Sequence, residues 1–153
     1  MIHKKAADIM TAPVLYVMLE TPVGEIARTL LEHHISAAPV VGSSGKLVGM
    51  VSEGDLVGRT ASEDGQRRSW WLDMIQKSSK TSEGLRNYLE LHGLRAKDVM
   101  SSDVVTVAED TPITIVAELL ERKKIKRVPV LRNGQLVGIV SRADLLRALA
   151  QMR

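Results

Sequence analysis

The sequence contains, twice, a short motif whose residue types could bind a ligand. Ser52 is followed three residues later by Asp55, and Ser141 by Asp144. This spacing matches the capping box, in which both side chains satisfy backbone N–H groups at a helix start. A helix N-terminus also offers free N–H groups and partial positive charge to a phosphate. A nearby carboxylate can accept both hydroxyls of a ribose. The motif is therefore either a plain helix cap or part of a nucleotide site.

The two copies of this motif differ in the charges beside them. Arg142 directly follows the second serine, whereas Glu53 follows the first. The basic run Lys123–Arg127 precedes the second copy, and its counterpart His33–Ala37 contains no lysine or arginine. Arginine forms paired bonds with phosphate, whereas glutamate repels it. We expect unequal sites, the better anion site being formed by Arg127, Ser141, Arg142 and Asp144.

The basic run itself has two interpretations. Lys123 and Lys124 are interpreted as a solvated helix end, where cations are favourable near the C-terminal dipole. For Lys126 and Arg127, a solvated helix end and direct contact with phosphate are equally favoured.

An adenine base would need an apolar slot with a few backbone groups for its edge. The alternative for each residue that could form such a slot is plain core packing. The candidates in the second copy are Val104, Val105, Thr106, Val128 and Pro129, and those in the first copy are Val14, Leu15, Tyr16, Ala38 and Pro39.

Other chemistries lack their usual residues. The chain has no cysteine, and the adjacent His33 and His34 cannot both face one metal from a helix, so no zinc site is expected. No P-loop, G-x-G-x-x-G or G-x-S-x-G motif occurs. We therefore predict a protein that is not an enzyme and has no metal or catalytic cofactor.

The two motifs belong to a longer internal repeat. Residues 6–10 return as 96–100, and residues 47–56 return as 136–145. Each copy has only about 50 residues, too few to bury an adequate core alone. We therefore expect the copies, 6–59 and 96–150, to share a core, joined by a helical connector over 60–95.

Each copy is predicted to fold as β-α-β-β-α, an α+β arrangement whose two sheets pack about a pseudo-two-fold axis. A Thr-Pro step opens the first long helix, with Thr as the N-cap and Pro as the first helical residue. Apolar residues at helical spacing follow it. The predicted strands are 14–17, 37–41 and 47–51 in the first copy, and 104–107, 128–131 and 136–140 in the second.

Two local signals refine this prediction. Pro39 and Pro129 place the second strand at a sheet edge or mark its first residue, because proline donates nothing to a ladder. Asn133-Gly134 predicts a two-residue hairpin turn, since both residues tolerate positive φ. In the connector, Trp70 and Trp71 are interpreted as packing residues rather than ligand contacts.

The composition is that of a globular chain. Hydrophobic residues make up 44% of it, the net charge is +3, and no apolar run approaches the ~20 residues that span a membrane. The start of the chain has no signal-peptide pattern. The absence of cysteine fits a reducing cytosol, so a cytoplasmic location is expected.

Taken together, the repeated motifs resemble a pair of CBS (cystathionine β-synthase) domains. The residues that carry the resemblance are Asp-Ile/Val-Met, Thr-Pro, x-Pro-Val and Gly-x-Val-Ser-x-x-Asp-Leu, which occur in this order in both copies. The connector around Trp70-Trp71 resembles that of small bacterial members.

The resemblance implies a regulatory module that dimerises and binds an adenosyl ligand such as AMP, ATP or NAD in clefts between the repeats. It implies that Asp55 and Asp144 hold ribose, that Ser52 and Ser141 lie near phosphate, and that Lys126 and Arg127 contact phosphate. A protein partner would read the ligand-bound state. The alternatives are a ligand-free dimerisation module and, least favoured, a nucleic-acid binder using Lys123–Arg127.

Overall fold

The computed structural model describes residues 3–56 and 93–151, and in this range each copy of the repeat forms one three-stranded sheet. The first copy contains β1 (Val17–Met18), α2 (Val23–Glu32), β2 (Ala37–Val41) and β3 (Leu47–Ser52). A one-turn helix, α1 (Ala6–Ile9), precedes them, and residues 53–56 begin a further helical turn. The predicted order of elements is confirmed here.

The second copy repeats this order. It contains α3 (Ala96–Val99), β4 (Val107–Ala108), α4 (Ile113–Arg122), β5 (Arg127–Arg132), β6 (Gln135–Ser141) and α5 (Arg142–Ala150). The connector, with Trp70 and Trp71, lies outside the described residues. No helix in the described ranges is long and apolar enough to cross a membrane.

In both sheets the second strand of the copy is central. β1 runs parallel to β2, and β4 runs parallel to β5, while β5 and β6 are antiparallel from Arg127↔Ser141 to Arg132↔Gln135. The first strands are shorter than predicted, because pairing begins only at Val17 and Val107.

The prediction that proline marks a sheet edge or the start of a strand is wrong. Pro39 and Pro129 both lie within the central strand, and Pro129 stands opposite Ile139 of β6. The short strands β1 and β4 pair only with residues that follow each proline. At the proline, one side of the central strand therefore has no neighbouring strand. The absence of an N–H on proline then removes no hydrogen bond from the sheet.

The Thr-Pro step also differs from its predicted role. Pro22 and Pro112 are the N-caps of α2 and α4, with extended ψ angles of 146° and 143°. Thr21 lies outside the helix, where its Oγ1 accepts the N–H of Met18 at 2.9 Å. The threonine hydroxyl thus closes the turn after the strand and is not available to cap the helix.

The predicted hairpin turn is confirmed. Asn133 and Gly134 have φ angles of 52° and 81°, and Arg132 pairs with Gln135 across the turn. Positive φ at both central positions is the type I′ geometry that matches strand twist.

The described residues form two compact units that do not coincide with the sequence copies. The unit called here the Asp144 unit holds residues 3–15, 44–47 and 103–151. The Asp55 unit holds residues 16–43, 48–56 and 93–102. The one-turn helix that opens each copy thus belongs to the unit built on the sheet of the other copy.

Hydrogen bonds and packing explain why each opening helix belongs to the unit built on the sheet of the other copy. Thr11 exchanges backbone hydrogen bonds with Ile139 at 2.8 and 3.1 Å, and Ser101 does so with Met50 at 2.8 and 2.9 Å. Ala6 is buried in the cluster around Val116 and Val128, and Ala96 is buried in the corresponding cluster of the Asp55 unit. The repeated aspartates of this segment are caps, since Asp8 Oδ2 accepts the N–H of Lys5 at 2.8 Å.

The end of α4 offers a test of backbone strain. Lys124 has a φ of 56°, and the N–H of Ile125 donates to the carbonyl of Leu120 at 3.0 Å, as in a Schellman cap. A left-handed conformation costs an ordinary residue about 1–2 kcal/mol but costs glycine little. We expect Lys124→Gly to raise the free energy of unfolding by about 0.5–1 kcal/mol, after glycine's larger unfolded-state entropy is subtracted.

Denaturant titration measures this change, and Lys123→Gly is the matched control. Lys123 has a φ of −87°, so glycine relieves nothing there and should lower stability by about 0.5–1 kcal/mol. Both variants remove one lysine charge. Equal shifts in the two variants would contradict the assignment of strain to Lys124.

Candidate functional site

The second motif forms a buried carboxylate network at the start of α5. Asp144 is only 3% exposed. Its Oδ2 accepts the Ser141 N–H at 2.8 Å and the Ser141 hydroxyl at 3.1 Å. The Asp144 N–H in turn donates to Ser141 Oγ at 3.2 Å. The capping box predicted by the sequence is therefore present.

The other oxygen of Asp144 has two further partners. Thr11 Oγ1 donates to Asp144 Oδ1 at 3.1 Å, and the guanidinium of Arg147 forms an ion pair with the same oxygen. Four donor groups therefore surround one carboxylate. Such a network holds the carboxylate in place, since each buried donor or acceptor left unpaired costs free energy.

The first motif forms the same cap. Asp55 Oδ2 accepts the Ser52 N–H at 2.9 Å and the Ser52 hydroxyl at 3.1 Å, and the Asp55 N–H donates to Ser52 Oγ at 3.2 Å. Asp55 is half-buried, and none of the described residues donates to its Oδ1. The two carboxylates thus share a cap but differ in accessibility.

The helix start offers fewer free N–H groups than the sequence suggested. The Arg142 N–H donates to the carbonyl of Lys126 at 3.0 Å, and the N–H groups of Ser141 and Asp144 are used within the cap. In the first turn, only the N–H of Ala143 has no acceptor in the described part of the chain. A phosphate here would depend mainly on side chains.

Basic residues lie close to the Asp144 cap along the backbone. Arg127 is paired with Ser141 in the sheet register, and Lys126 contacts Arg142 through the backbone hydrogen bond at 3.0 Å. Arg147 adds a fourth cation one turn along the helix. The corresponding positions of the first copy are Ser36, Ala37, Glu53 and Gly58, which include no basic residue.

The apolar candidates fall into two groups by exposure. Ala38, Pro39, Val128 and Pro129 are buried in the sheets, so their side chains serve the core. Val14, Val104, Val105 and Thr106 are half-buried, and Leu15 and Tyr16 are 42% and 53% exposed. Only this second group presents side-chain surface that a base could contact.

Two residues of the network, Thr11 and Arg147, were not among the candidates from the sequence. Arg147 had a signal, because residues three apart on a helix lie on one face and an Asp–Arg pair is favourable there. Thr11 had none, since 133 positions separate it from Asp144 and only the fold brings them together. Among the residues that the structure describes, no group of three or more His, Cys, Asp or Glu could hold a metal.

Comparison with known proteins gives the family. The CBS domain model matches residues 6–61 and 96–151. The structure is similar to the CBS domain of a CBS domain containing membrane protein from Sphaerobacter thermophilus, with a TM-score of 0.72 and 33% identity. That comparison covers 95% of this chain and 87% of the other.

Two similar structures contain ligands. CBSX2 in complex with AMP has a TM-score of 0.71 and 25% identity, with 97% of each chain covered. The CBS domain pair of protein MJ0100, in complex with 5′-methylthioadenosine and S-adenosyl-L-methionine, has a TM-score of 0.65 and 25% identity, with 96% of each chain covered. The match of both sequence copies to one family model, together with the two three-stranded sheets, places this chain in the CBS domain family as a tandem CBS domain pair.

Proposed function

We propose that this protein is a regulatory, non-catalytic module that binds an adenine nucleotide such as AMP, ATP or NAD. In this proposal a carboxylate of the Ser-x-x-Asp motif accepts the ribose hydroxyls, and the basic side chains beside Ser141 bind phosphate. A protein partner responds to the ligand-bound state.

The observation that carries the proposal is the charge around the Asp144 cap. Lys126, Arg127 and Arg142 lie at backbone positions next to Ser141, and Arg147 forms an ion pair with Asp144. This part of the chain therefore carries more positive than negative charge, which favours the binding of an anion. The AMP complex of CBSX2 and the adenosyl complexes of MJ0100 support an adenosine group as the ligand.

Regulation requires that the ligand bind two states of the protein with different affinity. In the Asp144 unit, α1 and the β-strand bridge at Thr11 lie next to the carboxylate network through the bond from Thr11 to Asp144. A ribose that takes Asp144 Oδ1 would compete with this bond. The segment 3–15 is therefore the part of the unit that we expect to respond to ligand.

Mass spectrometry of nucleotides released from the purified protein, followed by calorimetry, tests the proposal. The compounds are AMP, ATP, NAD and S-adenosylmethionine, and we expect at least one of the three nucleotides to bind. A bound ligand should also raise the melting temperature with the logarithm of its concentration. Absence of binding by all four compounds at millimolar concentration would exclude the proposed function.

A ligand-free dimerisation module is the second candidate, and the exposed apolar side chains of α5 favour it. Leu146 and Leu149 are 65% and 56% exposed. Sedimentation of the wild type and of Leu149→Glu tests it. Loss of a dimer in the variant, together with no thermal shift by any nucleotide, would favour this function over ligand sensing.

A further inference from the structure

The carboxylate that is proposed to hold ribose in the Asp144 unit is already occupied by a cation of the same helix. Arg147 pairs with Asp144 Oδ1, while its side chain remains 64% exposed. Helical side chains lean toward the N-terminus, which places this guanidinium over the preceding turn and the Ser141 cap. The corresponding sequence position in the first copy is Gly58, which has no side chain to play this part.

We propose that Arg147 makes the Asp144 unit select phosphorylated adenosine ligands over uncharged nucleosides. This inference rests on the proposed function and adds the specificity-determining residue. An uncharged nucleoside must separate Arg147 from Asp144 and gives the guanidinium nothing in return. A nucleotide separates the same pair but supplies a phosphate, with which arginine forms paired, charge-assisted hydrogen bonds.

The surrounding charges act in the same direction. Arg142 lies in the first turn of the same helix, and Arg127 stands opposite Ser141 in the sheet register. A ribose that takes the place of Arg147 at Asp144 leaves the positive charge of Arg147 without its carboxylate partner. A phosphate near Ser141 compensates this positive charge, whereas an uncharged nucleoside does not. 5′-Methylthioadenosine, a thioether, and S-adenosylmethionine, a sulfonium compound, carry no phosphate. Both are predicted to bind poorly at the Asp144 carboxylate.

Arg147→Gln tests the inference through the ratio of AMP to adenosine affinity. Titrations use the full chain in an Asp55→Asn background, so that the Asp144 carboxylate dominates the binding signal. When residue 147 is the natural arginine, we expect AMP to bind at least about tenfold more tightly than adenosine. One charge-assisted contact supplies a factor of this size. In Arg147→Gln, AMP should bind about tenfold more weakly, while adenosine binds equally well or more tightly.

Opposite changes in the affinities for AMP and adenosine distinguish a change in ligand specificity from damage to the fold. A variant that only damages the fold lowers the affinity for both ligands by the same factor, and that result would overturn the proposal. Unchanged affinities for both ligands would overturn it as well. Arg147→Lys keeps the charge and should retain most of the preference for AMP, and circular dichroism melting shows whether each variant is folded.

Two further outcomes identify which proposal has failed. If the chain with wild-type Asp55 and Arg147 binds neither ligand and also fails to bind ATP, NAD and S-adenosylmethionine, the proposed function itself is wrong. If it binds AMP but the Asp55→Asn chain does not, the nucleotide site lies at Asp55, and the role of Arg147 is rejected while nucleotide binding stands.

Discussion

Replacing Asp144 with asparagine should weaken nucleotide binding by about 10- to 100-fold, because hydrogen bonds to a charged group contribute about 1.5–3 kcal/mol. The variant should fold. An asparagine oxygen can still accept the Ser141 N–H, and its amide can donate to the hydroxyl of Thr11. Only the ion pair with Arg147 has no replacement. Calorimetry with AMP measures the affinity, and denaturant titration measures the stability.

Asp144→Ala adds a stability effect to the binding effect. It removes the Asp144 half of the capping box and the acceptor for the half-buried Ser141 and the exposed Thr11, which together should cost about 1–2 kcal/mol. The matched control is Asp98→Asn, since Asp98 caps α3 through its Oδ2 and belongs to the Asp55 unit, outside segment 3–15 and outside both motifs. Equal loss of AMP affinity in Asp98→Asn and Asp144→Asn would show that the effect comes from the fold and not from ribose recognition.

The second large effect is expected at Gly49 on β3. A Cβ at this position would lie 2.6 Å from Met100 Sδ and 2.8 Å from the Ser101 carbonyl oxygen. The methionine can move, but the carbonyl is held by the paired backbone bonds between Ser101 and Met50. We expect Gly49→Ala to lower the free energy of unfolding by about 2–3 kcal/mol through overpacking of β3 against the segment after α3.

The double variant Gly49→Ala/Met100→Ala identifies the source of this loss. Removing the methionine side chain should restore only part of the stability, because the clash with the Ser101 carbonyl remains. Gly54→Ala is the control, since the nearest atom to its Cβ is Ser52 Oγ at an ordinary 3.5 Å. A loss in Gly54→Ala as large as that in Gly49→Ala would contradict the proposed clash.

Local sequence signals predicted the parts of the fold that depend on neighbours in the chain. The hairpin at Asn133-Gly134 and the caps at Ser52 and Ser141 were predicted correctly because each involves residues at most three positions apart. The role of threonine in the Thr-Pro step was predicted incorrectly, because two local structures fit the same residues. Threonine at this position can cap a helix or close the preceding turn, and the hydrogen bond from Met18 decides for the turn.

The position of proline in the sheets shows where local reasoning fails. Proline is normally excluded from central strands, yet Pro39 and Pro129 lie in them. The reason is the length of β1 and β4, which begin their pairing only after the prolines. How far two strands overlap is a property of their packing and is not encoded in either strand alone.

The sequence by itself determined the repeat, the order of its elements, the family and the two Ser-x-x-Asp caps, because these depend on residue types at short and regular spacing. Only the tertiary structure decided that the helix opening each copy joins the unit of the other copy, and that Thr11 donates to Asp144. The exchange rests on contacts such as that of Thr11 with Asp144, across 133 positions of the chain, which no local pattern reports. The two repeated carboxylates accordingly differ in burial, since Asp144 is 3% exposed and Asp55 is half-buried.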